Sequence, residues 1–487
     1  LLQMVLEVID FGEMPPEEND PIPPNDQKVI VTELKKMLKE AVTLNEKVAK
    51  APIRRMTRFQ YANAVKDLLG LKVEVFPLPE KMMRDRSGYF KPETGKMPDK
   101  MTVSSRPLGK SGLIEPRMDG VAPFPQDLRA EHGYDTQGDH LSLSPLLMED
   151  FFRLSRSIVQ SPSFNPKNVG TWKIYFEEPG KEINQEDEIE NRLRKLLTHA
   201  FRRPVDKKII NKYVSYAKDG LAKGKSFREV MKEVLSAVLA SPRFLYLYDG
   251  GDTEEKSQPL EDINLASRLS FFLWGSLPDE DLLNSAKDGT LSEEETLSKH
   301  VDRMLLNHKL KRFCDSFPTQ WLQLDRIISA VPDEKKYNDF YYAAPLYRTT
   351  MDMMMEPLLL FETVLIEDRS VLELIDSNYT FRSPRLRKWY GEEPGGRVGG
   401  PVTIAFARQP VADRRHGGVI TNGAVMTMTS GPLETKPITR GAWIAGVIFN
   451  SPPPPPPAEV PPLPEDKAHD DSLALRERFA DHRERAD

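Results

Sequence analysis

At 487 residues, with a net charge of −6 and 29% charged side chains, the chain is long enough for about three domains with real cores. It has no basic footprint for nucleic acid, and no stretch approaches the ~20 apolar residues of a membrane span. Cys314 is the one cysteine, which excludes an internal disulfide, and no CxxC, CxxCH or HExxH run occurs.

Helical signals then dominate in chain order. Thr57 with Gln60 forms a capping box ahead of Tyr61, Val65, Leu68 and Leu69, and Gly70 suits the left-handed stop. Residues 76–140 are rich in Pro, Gly, Lys and Asp with little periodicity and read as a long inserted loop. Ser144 followed by Pro145 is an N-cap and first-turn pair. Ile189, Leu193, Leu196, Leu197, Ala200 and Phe201 predict a helix, and Ile209 to Ala217 a second. Phe227, Val230, Met231, Val234, Leu235, Val238 and Leu239 place a third apolar stripe behind the box Ser226–Glu229, with Pro242 after its end. Leu265, Ala266, Leu269, Phe272 and Leu273 form another helical face, and Ser292 with Glu295 predicts a cap for the next long helix. Met351 to Ile366 is helical through Pro357, a kink position. β-branched residues cluster at Val402–Phe406 and Val419–Thr429.

The fold class is therefore mainly α: multi-domain helical bundles with long Pro/Gly-rich loops and a little β near the C-terminal domain. The expected units are 52–160, 186–250, 258–390 and 400–464. Six consecutive prolines, Pro452–Pro457, cannot be helical, because each lacks an N–H and fixes φ. They predict a polyproline II rod of roughly 19 Å at about 3.1 Å per residue, a spacer rather than a ligand for an aromatic groove.

Several residues invite a site. Asp135, Asp139 and His140, in GYDTQGDHLSLSP, offer oxygen and imidazole ligands, although the spacing is not that of an EF-hand and a turn role is the plainer expectation. Arg202 and Arg203 follow a helix end, where they complement its dipole or bind an anion. Trp274 and Cys314 sit in apolar surroundings and are expected in the core. Arg415 and His416 precede Gly417 and Gly418, which permit close backbone approach to a ligand. No Ser-His-Asp or paired-carboxylate arrangement can be picked out.

Five blocks, in order, carry a resemblance: RRMTRFQYANAVKDLLGL with GYDTQGDHLSLSPLLMEDF, LLTHAFRRPVDKKIINKYV, LASRLSFFLWGSLPDEDLL, TQWLQLDRI, and RRHGGVITNGAVMTMTSGPLETKPITRGAWIAGVIFNSPPPPPP. The ordered set resembles the planctomycete-type family of secreted multi-domain c-type cytochromes, built from consecutive domains of unknown function. The resemblance implies haem c in the full-length protein, a redox partner protein, and a periplasmic, secreted or cell-surface setting. Residues 1–45 look like the last part of a cytochrome c domain, in which Met14 of the Met-Pro-Pro turn matches the family's axial ligand, a thioether suited to electron transfer. Residues 465–487 look like the start of a following, truncated module. The expected function is that of a central fragment of an exported multi-haem cytochrome acting in electron transfer or as a redox scaffold. The alternatives are a redox-linked enzyme acting on polysaccharide or another extracellular substrate, and a non-catalytic surface scaffold.

Overall fold

The computed structural model describes residues 5, 6, 8, 9, 22–44, 53–78, 81–105, 115–127, 129, 133–141, 143–180, 182–247, 262–343, 347–395, 403–411, 413 and 416–453. Met14, Arg415, Pro454–Pro457, residues 465–487 and the side chain of Asp139 lie outside them. The described residues are mainly helical. No helix among them is long and apolar enough to cross a membrane.

The first half runs α1 (Pro24–Leu44), β1 (Arg54–Arg55), α2 (Arg58–Leu69), β2 (Met83–Asp85), β3 (Lys100–Ser105), α3 (Pro145–Gln160), α4 (Gln185–Phe201), α5 (Lys207–Ala222), α6 (Phe227–Leu239) and β4 (Tyr246–Leu247). Local chemistry sets the ends. Thr57 and Gln60 make their reciprocal capping box, and Gly70 closes α2 at φ 57°. Ser144 caps α3 with Pro145 in the first turn, and Ser226 with Glu229 boxes the start of α6. α2 is buried on nearly every side because α3, α4 and α6 share one core with it. Tyr61 is fully buried there, edge-on to Phe124 at 5.9 Å and to Phe244 at 5.7 Å. The antiparallel pair β1–β4 stitches the entry of α2 to the exit of the three-helix unit.

The second half adds α7 (Asp262–Leu273), α8 (Glu280–Lys287), α9 (Glu294–Leu305), α10 (Lys311–Trp321), β5 (Tyr341–Ala343), β6 (Tyr347–Arg348), α11 (Thr350–Ile366), β7 (Tyr379–Arg382), α12 (Pro384–Trp389), β8 (Ile404–Pro410), α13 (Gly423–Met428) and α14 (Pro437–Trp443). α7, α8 and α9 wrap Trp274, whose indole N–H donates to the Met304 carbonyl at 3.1 Å. α11 is the spine of another core. It is buried almost end to end and runs through Pro357 without ending.

Three local expectations are corrected. Residues 76–140 hold β2 and β3, which join β8 and β7 in an antiparallel sheet of order β2-β3-β8-β7. β2 pairs with β3 across residues 86–99 and β3 with β8 about three hundred positions on, so no tight-turn signal announces them. Residues 419–429 form a turn and then α13 rather than a strand, because the Asn422 side chain accepts from the Val425 N–H and caps a helix. The helix after Ser292 starts at Glu294 with Glu293 at its N-cap and no side-chain cap bond, since a turn from Thr290 to Glu293 comes first.

Candidate functional site

The N-terminal turn of α2, the 134–138 loop, α7 and α10 enclose a cavity of about 620 Å³, a size suited to a small ligand. Phe59, Tyr134, Phe271, Phe272, Phe313 and Phe317 are its aromatic lining. Its polar lining includes Arg54, Gln60, Asp135, Asn264, Arg268 and Gln320.

α10 organises the aromatic side. Phe313 and Phe317, one turn apart, stack at 5.1 Å with planes 9° apart, and Trp321 continues the series at 6.0 Å and 19°. Tyr134 lies nearly parallel to Phe317 at 6.2 Å and 24°. α7 contributes the lip. Phe272 is 62% exposed and tilts over Phe313 at 5.4 Å, and Arg268, one turn earlier, is also exposed.

Behind the cavity sits a charged clamp. Arg312 donates twice to the Asp67 carboxylate, at 2.8 Å each, and Lys309 lies 3.0 Å from the same group. The Ser276 hydroxyl also donates to Asp67 at 2.8 Å. Burial alone would push Asp67 up, but the hydrogen bonds and charge of Arg312, with Lys309, hold it well below the carboxylate range. The clamp fastens α2 to the start of α10. Gly275 sits between them at φ 56°, with the Phe59 ring against it.

A second cluster lies deeper. The Lys311 ammonium pairs with Asp315 and, at 2.7 Å, with Glu362, while the Tyr89 hydroxyl donates to the other Glu362 oxygen at 2.8 Å. Burial raises Glu362, and the charge of Lys311 opposes it. Cys314 is fully buried beside them, and burial with the charge of Glu362 pushes its thiol up and disfavours the thiolate.

The residues singled out from sequence fall in different places. Asp135 lines the cavity, and its backbone N–H donates to the Gln320 side chain at 3.1 Å. His140 is exposed and is not part of the lining. Among the described residues no three His, Cys, Asp or Glu side chains converge on a metal position. Arg202 is buried at φ 60°, and its guanidinium donates to the carbonyls of Ala200, Arg243, Phe244 and Tyr246. Arg203 donates at 3.0 Å to Asn264 of the cavity wall. The two arginines thus stand behind the site.

His416 is exposed, its ring 5.7 Å from that of Tyr390. A Cβ on Gly417 would land on the Ser377 carbonyl, and one on Gly418 on the Ile375 carbonyl. The close approach these glycines permit is to the chain itself. Gly417→Ala should cost about 1–3 kcal/mol, read as a lower urea midpoint; an unchanged midpoint would contradict this packing.

Sequence reasoning placed Phe272 on an apolar helical face and did not single out Phe313 or Phe317. The usable signal was the four-residue spacing of Phe313, Phe317 and Trp321. No curated protein and no solved structure matches the chain.

Four domain families, each described as a protein of unknown function, match in succession: DUF1587 (PSD3) over residues 54–89 and 112–161, DUF1595 (PSD5) over 188–249, DUF1592 (PSD4) over 260–391, and DUF1588 (PSCyt3) over 416–487. The cavity draws its walls from the first three. These are the consecutive domains of the planctomycete-type cytochrome c family, and the chain belongs to that family.

Proposed function

We propose that this chain is the ligand-binding, non-haem body of an exported multi-haem c-type cytochrome, whose cytochrome modules transfer electrons to or from a partner protein. The carrying observation is the cavity of about 620 Å³ where three of the domain families meet. A mere spacer has no use for an aromatic-lined chamber at that junction. The cavity holds one carboxylate, Asp135, among its described lining residues, and so lacks the carboxylate pair that glycoside hydrolysis commonly uses.

The residues present do not fit covalent haem attachment. A CxxCH site needs two cysteines, and Cys314 is the one cysteine in the chain and fully buried. Haem on the full-length protein is therefore held by residues outside this chain, with Met14 as the one axial ligand proposed within it. When bound, such a group supplies one-electron chemistry.

A pyridine haemochrome assay on the full-length protein from its native host tests this proposal. Covalent haem in an extracytoplasmic fraction is expected; full-length protein free of haem contradicts the electron-transfer role. Met14→Ala should abolish the weak far-red band of methionine–iron coordination while leaving haem attached. An unchanged band rejects Met14.

A further inference from the structure

We infer that the inter-domain cavity binds an uncharged, flat aromatic compound through a carbonyl oxygen; this rests on the binding-body function proposed above. Two amides carry the inference. Gln60, in the first turn of α2, and Asn264, on α7, both line the chamber and are only 5% and 2% exposed. Their oxygen ends are fixed. The Gln60 Oε1 accepts from the Thr57 N–H at 3.3 Å and from Arg54 at 3.0 Å, and the Asn264 Oδ1 accepts from Arg203 at 3.0 Å. A donor held on the oxygen settles which end of an amide is which.

The Gln60 Nε2 and Asn264 Nδ2 groups are the ends left over. Neither donates to a partner among the described residues, and neither is sealed from solvent. A ligand that displaces the water at these nitrogens must accept from them, or it leaves two buried donors unpaired. A sugar is matched less well, because its hydroxyls must donate as well as accept. The lining amide oxygens are taken: Gln320 completes the set, accepting from the Asp135 N–H at 3.1 Å and donating to Ser316 at 3.0 Å.

The charged lining does not ask for an ion. Arg312 is held by Asp67, and Arg54, Asp135 and Arg268 each have partners already. A charged ligand would lose its hydration without meeting an unengaged counter-charge among the described lining residues.

The walls set the shape. Phe313 and Phe317 hold their planes 9° apart, and Phe272 keeps a 62% exposed ring at the lip, 5.4 Å from Phe313. A flat ring meets such walls by offset stacking or edge-on contact, and covering Phe272 removes apolar surface from water.

Calorimetric titration of the intact chain with chromone, naphthalene, 1-decalone and maltotriose tests the inference, with folding of every variant checked by circular dichroism. Chromone, a flat bicycle with a ring carbonyl, should bind. Naphthalene lacks the oxygen and 1-decalone lacks the flat ring, and each should bind about tenfold more weakly. Asn264→Asp and Gln60→Glu keep the oxygens that hold Arg203, Arg54 and Thr57 and exchange the N–H donors for a second carboxylate oxygen. Each should weaken chromone about tenfold and leave naphthalene unchanged. Phe272→Ser, at an exposed position, should weaken chromone about tenfold, and Leu146→Ser, on the exposed face of α3, should change nothing.

Equal affinity for chromone and naphthalene, or chromone affinity unmoved by both acids, overturns the inference. Should either acid unfold the chain, the comparison of chromone with naphthalene on wild type still decides. Maltotriose binding that Phe272→Ser abolishes, with no chromone binding, overturns the ligand class and leaves the binding-body function standing. Absence of binding by all four compounds to folded protein overturns both.

Discussion

Replacing Lys311 with methionine should cost about 3–5 kcal/mol of stability, the range for breaking a buried ion pair on one side. Its side chain is 8% exposed, and those of Asp315 and Glu362 are 2% and 0% exposed. Without the ammonium, two carboxylates share a dry core, and among the described residues the Tyr89 hydroxyl is the donor left to Glu362. Burial disfavours the charged lysine, but Asp315 and Glu362 together outweigh it and raise Lys311 above its usual 10.5.

The sign of the pH effect follows. A lysine raised on folding contributes stability that is complete below about pH 10.5 and is lost as pH climbs through the folded value. Wild type should therefore weaken in strong alkali, and Lys311→Met should lose that slope. Adding Glu362→Gln to Lys311→Met should recover part of the loss, since the amide needs no counter-charge. Urea unfolding checks both. A single substitution within about 1 kcal/mol of wild type would show that the pair does not hold this core.

Asp67→Asn should cost about 3 kcal/mol, because Arg312 and Lys309 lose their shared counter-charge at a side chain that is 15% exposed. Here the linkage has the opposite sign. A carboxylate held below its unfolded value contributes stability that is present above about pH 3.8 and is lost as pH falls through the folded value. Wild type should soften in acid over that window, and Asp67→Asn should soften less, having nothing left to protonate. Equal acid slopes in the two proteins would remove Asp67 from the account. The substitution matters beyond stability, because this clamp sets the distance between α2 and α10 across the cavity.

What could be read from the sequence was what a few adjacent residues encode. Thr57–Gln60, Ser226–Glu229, Ser144–Pro145 and Gly70 each close their own turn, and all form as their spacing predicts. The family was legible too, because its blocks recur in order. The sheet was not, since Met101 and Val103 become strand residues only beside Phe406 and Ile404, about three hundred positions away. Ser292–Glu295 and the β-branched run at 419–429 show the converse, in which a fitting local pattern loses to a neighbouring turn or cap.

The cavity was hidden for a related reason. Phe272 has the spacing of a core residue, and its exposure is set by how α7 meets α10. Asp135 surfaced through its loop motif, but its role depends on Gln320, which sequence spacing could not connect to it.

The central claim is that three domain families close around one binding chamber. Hydrogen exchange of wild type against Asp67→Asn, which loosens the clamp between α2 and α10, tests it most directly. The account predicts faster exchange together in the first turn of α2, in β4, in α7 and in α10, with residues 417–443 unchanged. Faster exchange confined to α2, or spread evenly over the chain, would contradict it.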